Sequence, residues 1–264
     1  MIFYLLYYNM ILCNHKPLSK LRGYKLLLSS EKIFVELLQS FVTFGWVNQI
    51  DPNEITRLDK SFILQDFSEK EADLVYRLKF KDQDVIFYLL MELQSTVDFQ
   101  MPYRLLLYMA EIWRDILKNT GGQEAEHKEF RLPAIVPIVL YNGEAKWTAC
   151  RSFKESLAAA ELFGEYLVDF KYILIDVNRY ERQTLIELAN LIGTVFLLDQ
   201  AISPQEYRRR FLEIGTVLRK LDSRTFRLFA MWYKSIAVSG MPEQEKEAFS
   251  RTRAAFWMKQ TRRR

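Results

Sequence analysis

The stretch from Glu71 to Gln94 constrains the fold more than any other part of the sequence. Its first run, roughly Ala72 to Phe80, is apolar and rich in β-forming residues, and a second, almost continuously apolar run follows from Val85 to Leu93. The polar tetrad Lys-Asp-Gln-Asp at 81–84 separates the two runs. Short apolar runs bounded by turn residues are typical of strands buried on both faces. The sequence therefore predicts a buried β-hairpin.

The register of this hairpin predicts a pair of carboxylates. If Lys81 and Asp84 close the turn, Asp73 lies directly opposite Glu92, and directly opposed residues share a face with Cβ atoms roughly 5 Å apart. Two carboxylates about 4 Å apart repel by on the order of 4 kcal/mol at an intermediate dielectric, so a shared proton or a bound cation must offset the repulsion. Oxygen ligands at strand ends suit Mg²⁺, and Gln94, two residues after Glu92, faces the same side.

A structural explanation of the same residues stays open. Asp73 can simply begin a strand, while Glu92 pairs with a basic side chain. A slip of one residue in the register would place the two carboxylates on opposite faces of the hairpin.

Three segments around the hairpin carry a family resemblance. They read Glu-Ala-Asp-Leu-Val-Tyr from Glu71, Phe-Tyr-Leu-Leu-Met-Glu-Leu-Gln-Ser-Thr-Val-Asp from Phe87, and Met-Pro-Tyr-Arg-Leu-Leu-Leu-Tyr-Met from Met101. Together they resemble the Rpn family of recombination-promoting nucleases, also described as YhgA-like transposases, within the PD-(D/E)XK nuclease superfamily. The resemblance extends from about Gly23 to about Gln200. It implies a mixed α/β fold with a restriction-endonuclease-like core, in which helices flank a central mixed β-sheet, and a helical C-terminal extension.

The resemblance also implies a site and a reaction. Asp73 matches the first acidic residue of the superfamily motif and Glu92 the second, so both are expected to be catalytic and to bind Mg²⁺ or another divalent cation, with the backbone carbonyl of Leu93 as a further ligand. Gln94 stands where the superfamily usually has Lys. The resemblance implies that the Rpn relatives also carry Gln at this position. The expected activity is metal-dependent cleavage of DNA during recombination or transposition, without a nucleotide cofactor. The alternative is a catalytically decayed DNA-binding or interaction protein derived from a mobile element.

Three further residues are candidates for the same site. Glu36 lies on a predicted helix in the segment Phe-Val-Glu-Leu-Leu, where superfamily relatives often carry a Glu that assists metal binding; a solvated helix-face Glu is the alternative. Lys60 could bring positive charge to the site, or it could lie on the surface. Arg104 is close in sequence to the acidic residues and suits a phosphate contact or, equally, a structural ion pair.

Charge is distributed unevenly along the chain. Residues 201–264 hold 15 Lys/Arg and 6 Asp/Glu, whereas the first 200 residues hold 22 and 27. A basic C-terminal part suits a polyanionic partner such as DNA, with Arg208, Arg209 and Arg210 as candidate contacts to the DNA backbone. A solvated helical face explains the same charges.

Composition and termini complete the prediction. The chain has two cysteines, Cys13 and Cys150, which indicates no disulfide framework and fits the cytoplasm. The apolar stretch Met1–Cys13 is shorter than the roughly 20 residues that span a bilayer and lacks the features of a secretory signal, so we expect no stable membrane association; a weak membrane anchor is the lesser alternative. We divide the chain into an atypical apolar segment (1–22), a nuclease-like domain (23–200) and a basic helical extension (201–264), with the oligomeric state left open.

Periodicity and turn residues predict further elements. Ser30 is expected to cap a helix, and Pro102 fits the first turn of another. Pro137 indicates an edge position or a bulge in its strand. The predicted ranges are helices at 31–44, from Pro102 onward, at 152–162 and at 181–198, and strands at 59–67, 134–141 and 171–177.

Overall fold

The computed structural model describes residues 20–58, 74–80, 83–92 and 96–239. The strands are β1 (Ile55–Leu58), β2 (Leu74–Phe80), β3 (Gln83–Glu92), β4 (Ala134–Tyr141) and β5 (Ile173–Asp176). The helices are α1 (Lys20–Leu28), α2 (Glu31–Phe41), α3 (Met101–Asn119), α4 (Gly122–Ala125), α5 (Ala160–Phe163), α6 (Arg182–Glu187), α7 (Leu191–Asp199), α8 (Pro204–Glu213), α9 (Gly215–Lys220) and α10 (Ser223–Ser239).

The described strands form one mixed sheet in the order β1-β2-β3-β4-β5. Strand β2 is antiparallel to both β1 and β3, whereas β4 is parallel to β3 and β5 is parallel to β4. Helix α3 provides the long crossover that a parallel connection from β3 to β4 requires. The described elements follow the order helix, three strands, helix, strand, with β1 at Ile55–Leu58 as the first strand, and the helix-flanked mixed sheet is consistent with a PD-(D/E)XK-like core.

The hairpin of β2 and β3 is confirmed, but its predicted register is wrong by two residues. Leu74 pairs with Leu89, and the ladder ends at Phe80 and Gln83, so the turn has two residues between its closing pair. Asp84 belongs to the strand because it lies opposite Lys79, and opposite charges in directly opposed positions are favourable. Polarity alone therefore did not mark the turn. The correction is an even number of residues, so it does not exchange the two faces of the hairpin.

Alternating residues of the sheet bury two separate apolar cores. One face, with Tyr76, Phe87 and Ile138, packs against helices α1, α2, α7 and α10. The other, with Ile86 and Tyr88, packs against α3. The period of two along each strand thus makes the hairpin apolar on both sides, which explains its nearly unbroken apolar sequence.

Two predicted helices are discontinuous. In place of a helix at 181–198, the chain forms α6 and α7, which are separated where Ala189 adopts φ +49° and Asn190 accepts a hydrogen bond from the Gly193 N–H as an N-cap. Asn favours such caps because its side chain replaces a missing backbone partner. In place of a helix at 152–162 there is a 3₁₀ turn, Lys154–Ser156, followed by α5, and Ala159 between them has φ +58°.

The remaining predicted elements agree with the structure to different degrees. Helix α2 begins after Ser30 as predicted, although the Ser30 side chain makes no capping hydrogen bond, and Pro102 lies in the first turn of α3. Strand β4 is internal rather than an edge strand, yet its pairing with β5 begins only at Ile138, one residue after Pro137. On the β5 side, Pro137 therefore interrupts no ladder within the described part. The predicted strand 59–67 lies outside the described residues, directly after β1.

Candidate functional site

The carboxyl ends of β3, β4 and β5 meet at one edge of the sheet. The register pairs Glu92 with Tyr141, and Tyr141 with Asp176, so the three positions form one row across the strands. Strand alternation assigns this row to the face that α3 covers, together with Ile86 and Tyr88. In open α/β sheets ligands bind outside the carboxyl ends of the strands, so this edge is the candidate site.

Only part of the predicted site lies within the described residues. Lys60, Asp73, Leu93 and Gln94 lie outside the described residues, and Glu92 is described by its backbone alone. The direct opposition of Asp73 and Glu92 rested on the predicted register, and it does not follow from the ladder observed between Leu74 and Leu89. What the structure establishes is that Glu92 ends a central strand whose carboxyl end is aligned with those of two parallel neighbours.

Asp176 is a carboxylate at this edge that the sequence analysis did not single out. It is 8% exposed, its Oδ1 atom has no hydrogen-bond partner among the described residues, and its Oδ2 lies 3.7 Å from Arg179 Nε. Burial raises the pKa of Asp176, and Arg179 acts in the opposite direction. The only sequence signal was an acidic residue that ends the apolar run Ile-Leu-Ile. Its Cα lies two strand spacings from position 92, roughly 10 Å, with Tyr141 between them.

A buried polar network holds the chain just beyond Tyr141. The side chain of Asn142 donates to Asp199 Oδ2 over 2.9 Å, and Tyr24 donates to the same oxygen over 2.8 Å. Lys20 Nζ lies 2.8 Å from the other oxygen, Oδ1. Asn178 donates to the Asn142 carbonyl over 2.7 Å. These contacts tie helices α1 and α7 to the turn that follows β4, and so fix the edge next to Glu92.

Glu36 caps another helix. Its Oε1 accepts a hydrogen bond of 2.7 Å from the Ile192 N–H at the start of α7. Burial raises the pKa of Glu36, and hydrogen bonds from the backbone of Ile192 and Leu191 lower it. The alternative of a solvated helix-face carboxylate is wrong, because the side chain is half-buried between α2 and α7. Its expected role beside the metal stays a prediction, with one oxygen already held by the α7 N-terminus.

The arginines predicted to contact DNA lie in different environments. Arg104 pairs with Asp98, as the structural alternative had it. Arg210 does not lie on a surface where it could contact DNA: it is 7% exposed and donates to the Leu197 carbonyl and the Gln200 side chain. Arg209 is exposed but lies 3.5 Å from Glu213. Arg208 is on α8, and its side chain is not described.

The donor set expected at the site fits a hard cation. Two carboxylates and a backbone carbonyl, from Asp73, Glu92 and Leu93, are the oxygen ligands that Mg²⁺ prefers. Within the described ranges, no three His, Cys, Asp or Glu residues lie close enough together to hold a metal ion. A metal ion at this edge would therefore need ligands from residues outside those ranges, such as Asp73 and Leu93.

Comparison with known proteins places the chain in a family. The sequence model of the family described as "Putative transposase, YhgA-like" matches residues 22–227. The chain belongs to this family. Within the YhgA-like family it is similar to the Recombination-promoting nuclease RpnD of Escherichia coli O157:H7, with 28% identity over 138 residues, 48% of this chain and 50% of that protein. The chain thus spans about half the length of the curated relative, and no solved structure matches it.

Among the described residues, no helix combines the length and the apolar character that crossing a bilayer requires. The apolar stretch Met1–Cys13 lies outside the described residues.

Proposed function

We propose that this YhgA-like protein is a metal-dependent DNA endonuclease that acts in the recombination or transposition of mobile DNA. The observation that carries the proposal is the position of Glu92, at the carboxyl end of a central strand and in register with Tyr141 and Asp176. Membership of the family and the nuclease name of the RpnD relative support it. DNA in the cytoplasm is the proposed partner.

The proposed catalytic residues are Asp73, Glu92 and Gln94. Asp73, Glu92 and the Leu93 carbonyl would hold Mg²⁺. When bound, the cation lowers the pKa of a coordinated water and offsets charge on the scissile phosphate. Gln94 carries no charge, so it would orient the attacking water by a hydrogen bond rather than stabilise the transition state as a Lys would. Lys60 and Glu36 remain candidates for supporting roles at the site.

The rigid surroundings of Glu92 suit this chemistry. Strand β3 pairs with β2 as far as Leu89 and with β4 as far as Glu92, and the turn after β4 is held by the Asp199 network. Catalytic groups on rigid elements keep their geometry without loss of entropy during the reaction. The pair of Arg104 with Asp98 holds the segment before α3 to the first turn of that helix.

Cleavage of supercoiled plasmid by the purified protein tests the proposal. We expect nicking in Mg²⁺ and none in EDTA, and loss of nicking by at least 100-fold in Glu92→Gln and Asp73→Asn. The matched control is Glu124→Gln, an exposed carboxylate before β4 at the opposite edge of the sheet, which should cleave like the parent.

Other results would redirect the proposal. Full activity in Asp73→Asn would remove that residue from the site. Absence of cleavage by the parent in Mg²⁺, Mn²⁺ and Co²⁺, with DNA binding that is equal with and without metal, would instead identify a catalytically decayed DNA-binding protein.

A further inference from the structure

The basic residues of the C-terminal part differ in whether they already have acidic partners within the chain. Around α8 the cations are compensated by acidic side chains of the same region. Arg182 Nη2 lies 2.5 Å from Glu213 Oε1 and Arg182 Nε lies 3.4 Å from Glu206, and Arg209 and Arg210 pair with the same two acids. The described arginines of this region, Arg182, Arg209 and Arg210, thus already have acidic partners.

The next turn of the chain is different. Arg219 and Lys220 end α9, and Arg224 and Arg227 lie on the first turns of α10; all four are exposed. None of the four makes an ion pair or hydrogen bond with any residue in the described part of the chain. We call these four residues the α9–α10 basic surface.

The single acid inside this segment, Asp222, already has partners of its own. Asp222 accepts hydrogen bonds from the Thr225 N–H (2.9 Å) and hydroxyl (2.7 Å) at the start of α10, and Lys32 Nζ of helix α2 lies 3.1 Å away. The hydrogen bonds from Thr225, and then the contact with Lys32, hold the pKa of Asp222 below its ordinary value. Asp222 therefore stays ionised with Thr225 and Lys32 as its partners, and it forms no ion pair with any of the four described cations of the α9–α10 basic surface.

The spacing of the four cations suits a phosphate backbone. Arg224 and Arg227 are three residues apart on one helix, which places their Cβ atoms about 5–6 Å apart on one side. Lys220 and Arg224 are four residues apart, so their Cα atoms lie within roughly 14 Å. Duplex DNA presents one negative charge per roughly 1.7 Å of axis, and Arg binds phosphate oxygens through a planar fork of donors.

We propose that the α9–α10 basic surface binds the DNA backbone and that Arg224 and Arg227 are its principal phosphate contacts. This inference rests on the proposed function, from which it takes DNA as the partner. It relocates the basic contacts from Arg208–Arg210, where the described side chains are compensated, to the next turn of the chain, where they are not. Binding through this surface is independent of sequence, because phosphate contacts position a protein without reading bases.

The test is the salt dependence of DNA binding by the full chain. Fluorescence anisotropy of a labelled 20-base-pair duplex is measured in EDTA, between 50 and 300 mM KCl, for the parent and for Arg224→Gln/Arg227→Gln. Each lost phosphate contact lowers the slope of log K against log salt by about 0.9, so the double variant should lose about 1.8 from the slope. Its affinity should fall by roughly 10- to 100-fold at 0.1 M salt.

Two controls make the result specific. Lys118→Gln/Lys128→Gln removes the same charge from two exposed positions, at the end of α3 and in the segment before β4, and should leave the slope within about 0.3 of the parent. Arg224→Lys/Arg227→Lys keeps the charge and should keep most of the slope. A slope unchanged in Arg224→Gln/Arg227→Gln, an equal loss in the Lys118/Lys128 variant, or binding of anionic vesicles without binding of DNA would overturn the proposal.

The test of DNA binding can fail or succeed independently of the test of nuclease activity. Glu92→Gln should bind the duplex with the parent's slope while it fails to nick plasmid. A parent that binds through Arg224 and Arg227 but never cleaves would refute the nuclease and keep the surface. A parent that cleaves with an undiminished salt slope in the Arg224/Arg227 variant would do the reverse.

Discussion

Replacing Asp199 with Ala should destabilise the fold strongly. The Asp199 side chain is 2% exposed, and its two oxygens receive Lys20, Tyr24 and Asn142. Burial raises the pKa of Asp199, and the contact with Lys20 opposes that rise. Because three donors converge on one buried acceptor, its removal leaves all three without a partner at once.

The size of the effect follows from the environment of each donor. Removing one partner of a buried ion pair typically costs about 3–5 kcal/mol, and each neutral donor left unsatisfied in the interior adds about 1–3 kcal/mol. The Lys20 side chain is 33% exposed, so water replaces part of its lost contact. We expect a loss of roughly 3–5 kcal/mol in the free energy of unfolding, or about 6–20 °C in Tm at 2–4 °C per kcal/mol.

Urea unfolding followed by circular dichroism measures this loss. Tyr24→Phe removes a single donor and should cost about 1 kcal/mol. Glu165→Ala changes an exposed carboxylate and should stay within about 0.5 kcal/mol of the parent. If Asp199→Ala unfolds within about 1 kcal/mol of the parent, the network does not hold α1 and α7 to the turn after β4, and the reasoning fails.

Three further changes test other contacts. Gly23→Ala would place a Cβ 2.1 Å from Ser235 Oγ, so it should cost about 1–3 kcal/mol by overpacking, and adding Ser235→Ala should restore part of that loss in the same urea measurement. Tyr76→Phe removes the buried hydrogen bond to the Leu28 carbonyl and should lower the free energy of unfolding by about 1 kcal/mol, whereas an unchanged value would mean that water replaces the hydroxyl. Burial raises the pKa of Glu36, so the stability linked to its proton is present below the unfolded pKa of about 4.3 and is lost as pH rises through the folded pKa. Glu36→Gln should therefore gain stability relative to the parent between pH 4 and pH 7, and a difference in Tm that is constant with pH would contradict this.

The sequence by itself determined the central hairpin and the helices that follow Ser30 and begin near Pro102. The apolar runs around the polar tetrad at 81–84 predicted the β2–β3 hairpin, and the helix that begins near Pro102 follows from its periodic apolar face. Local propensity and periodicity are properties of the chain, so they can be read without knowing what packs against what. The acidic pair Asp73 and Glu92 likewise came from the sequence, through the resemblance, and their catalytic role stays a prediction.

Only the tertiary structure decided how these parts meet. The ladder places Asp84 in the strand, opposite Lys79, and no local pattern in the sequence distinguishes a strand Asp from a turn Asp. Glu36 caps helix α7, which lies more than 150 positions away in sequence, and the Arg210 side chain is buried against the same helix. Whether a charged side chain is solvated, paired or buried depends on the neighbours that packing brings to it. Composition therefore indicated only that the C-terminal part is basic. The structure showed which of its cations are exposed and have no acidic partner among the described residues, namely Arg219, Lys220, Arg224 and Arg227.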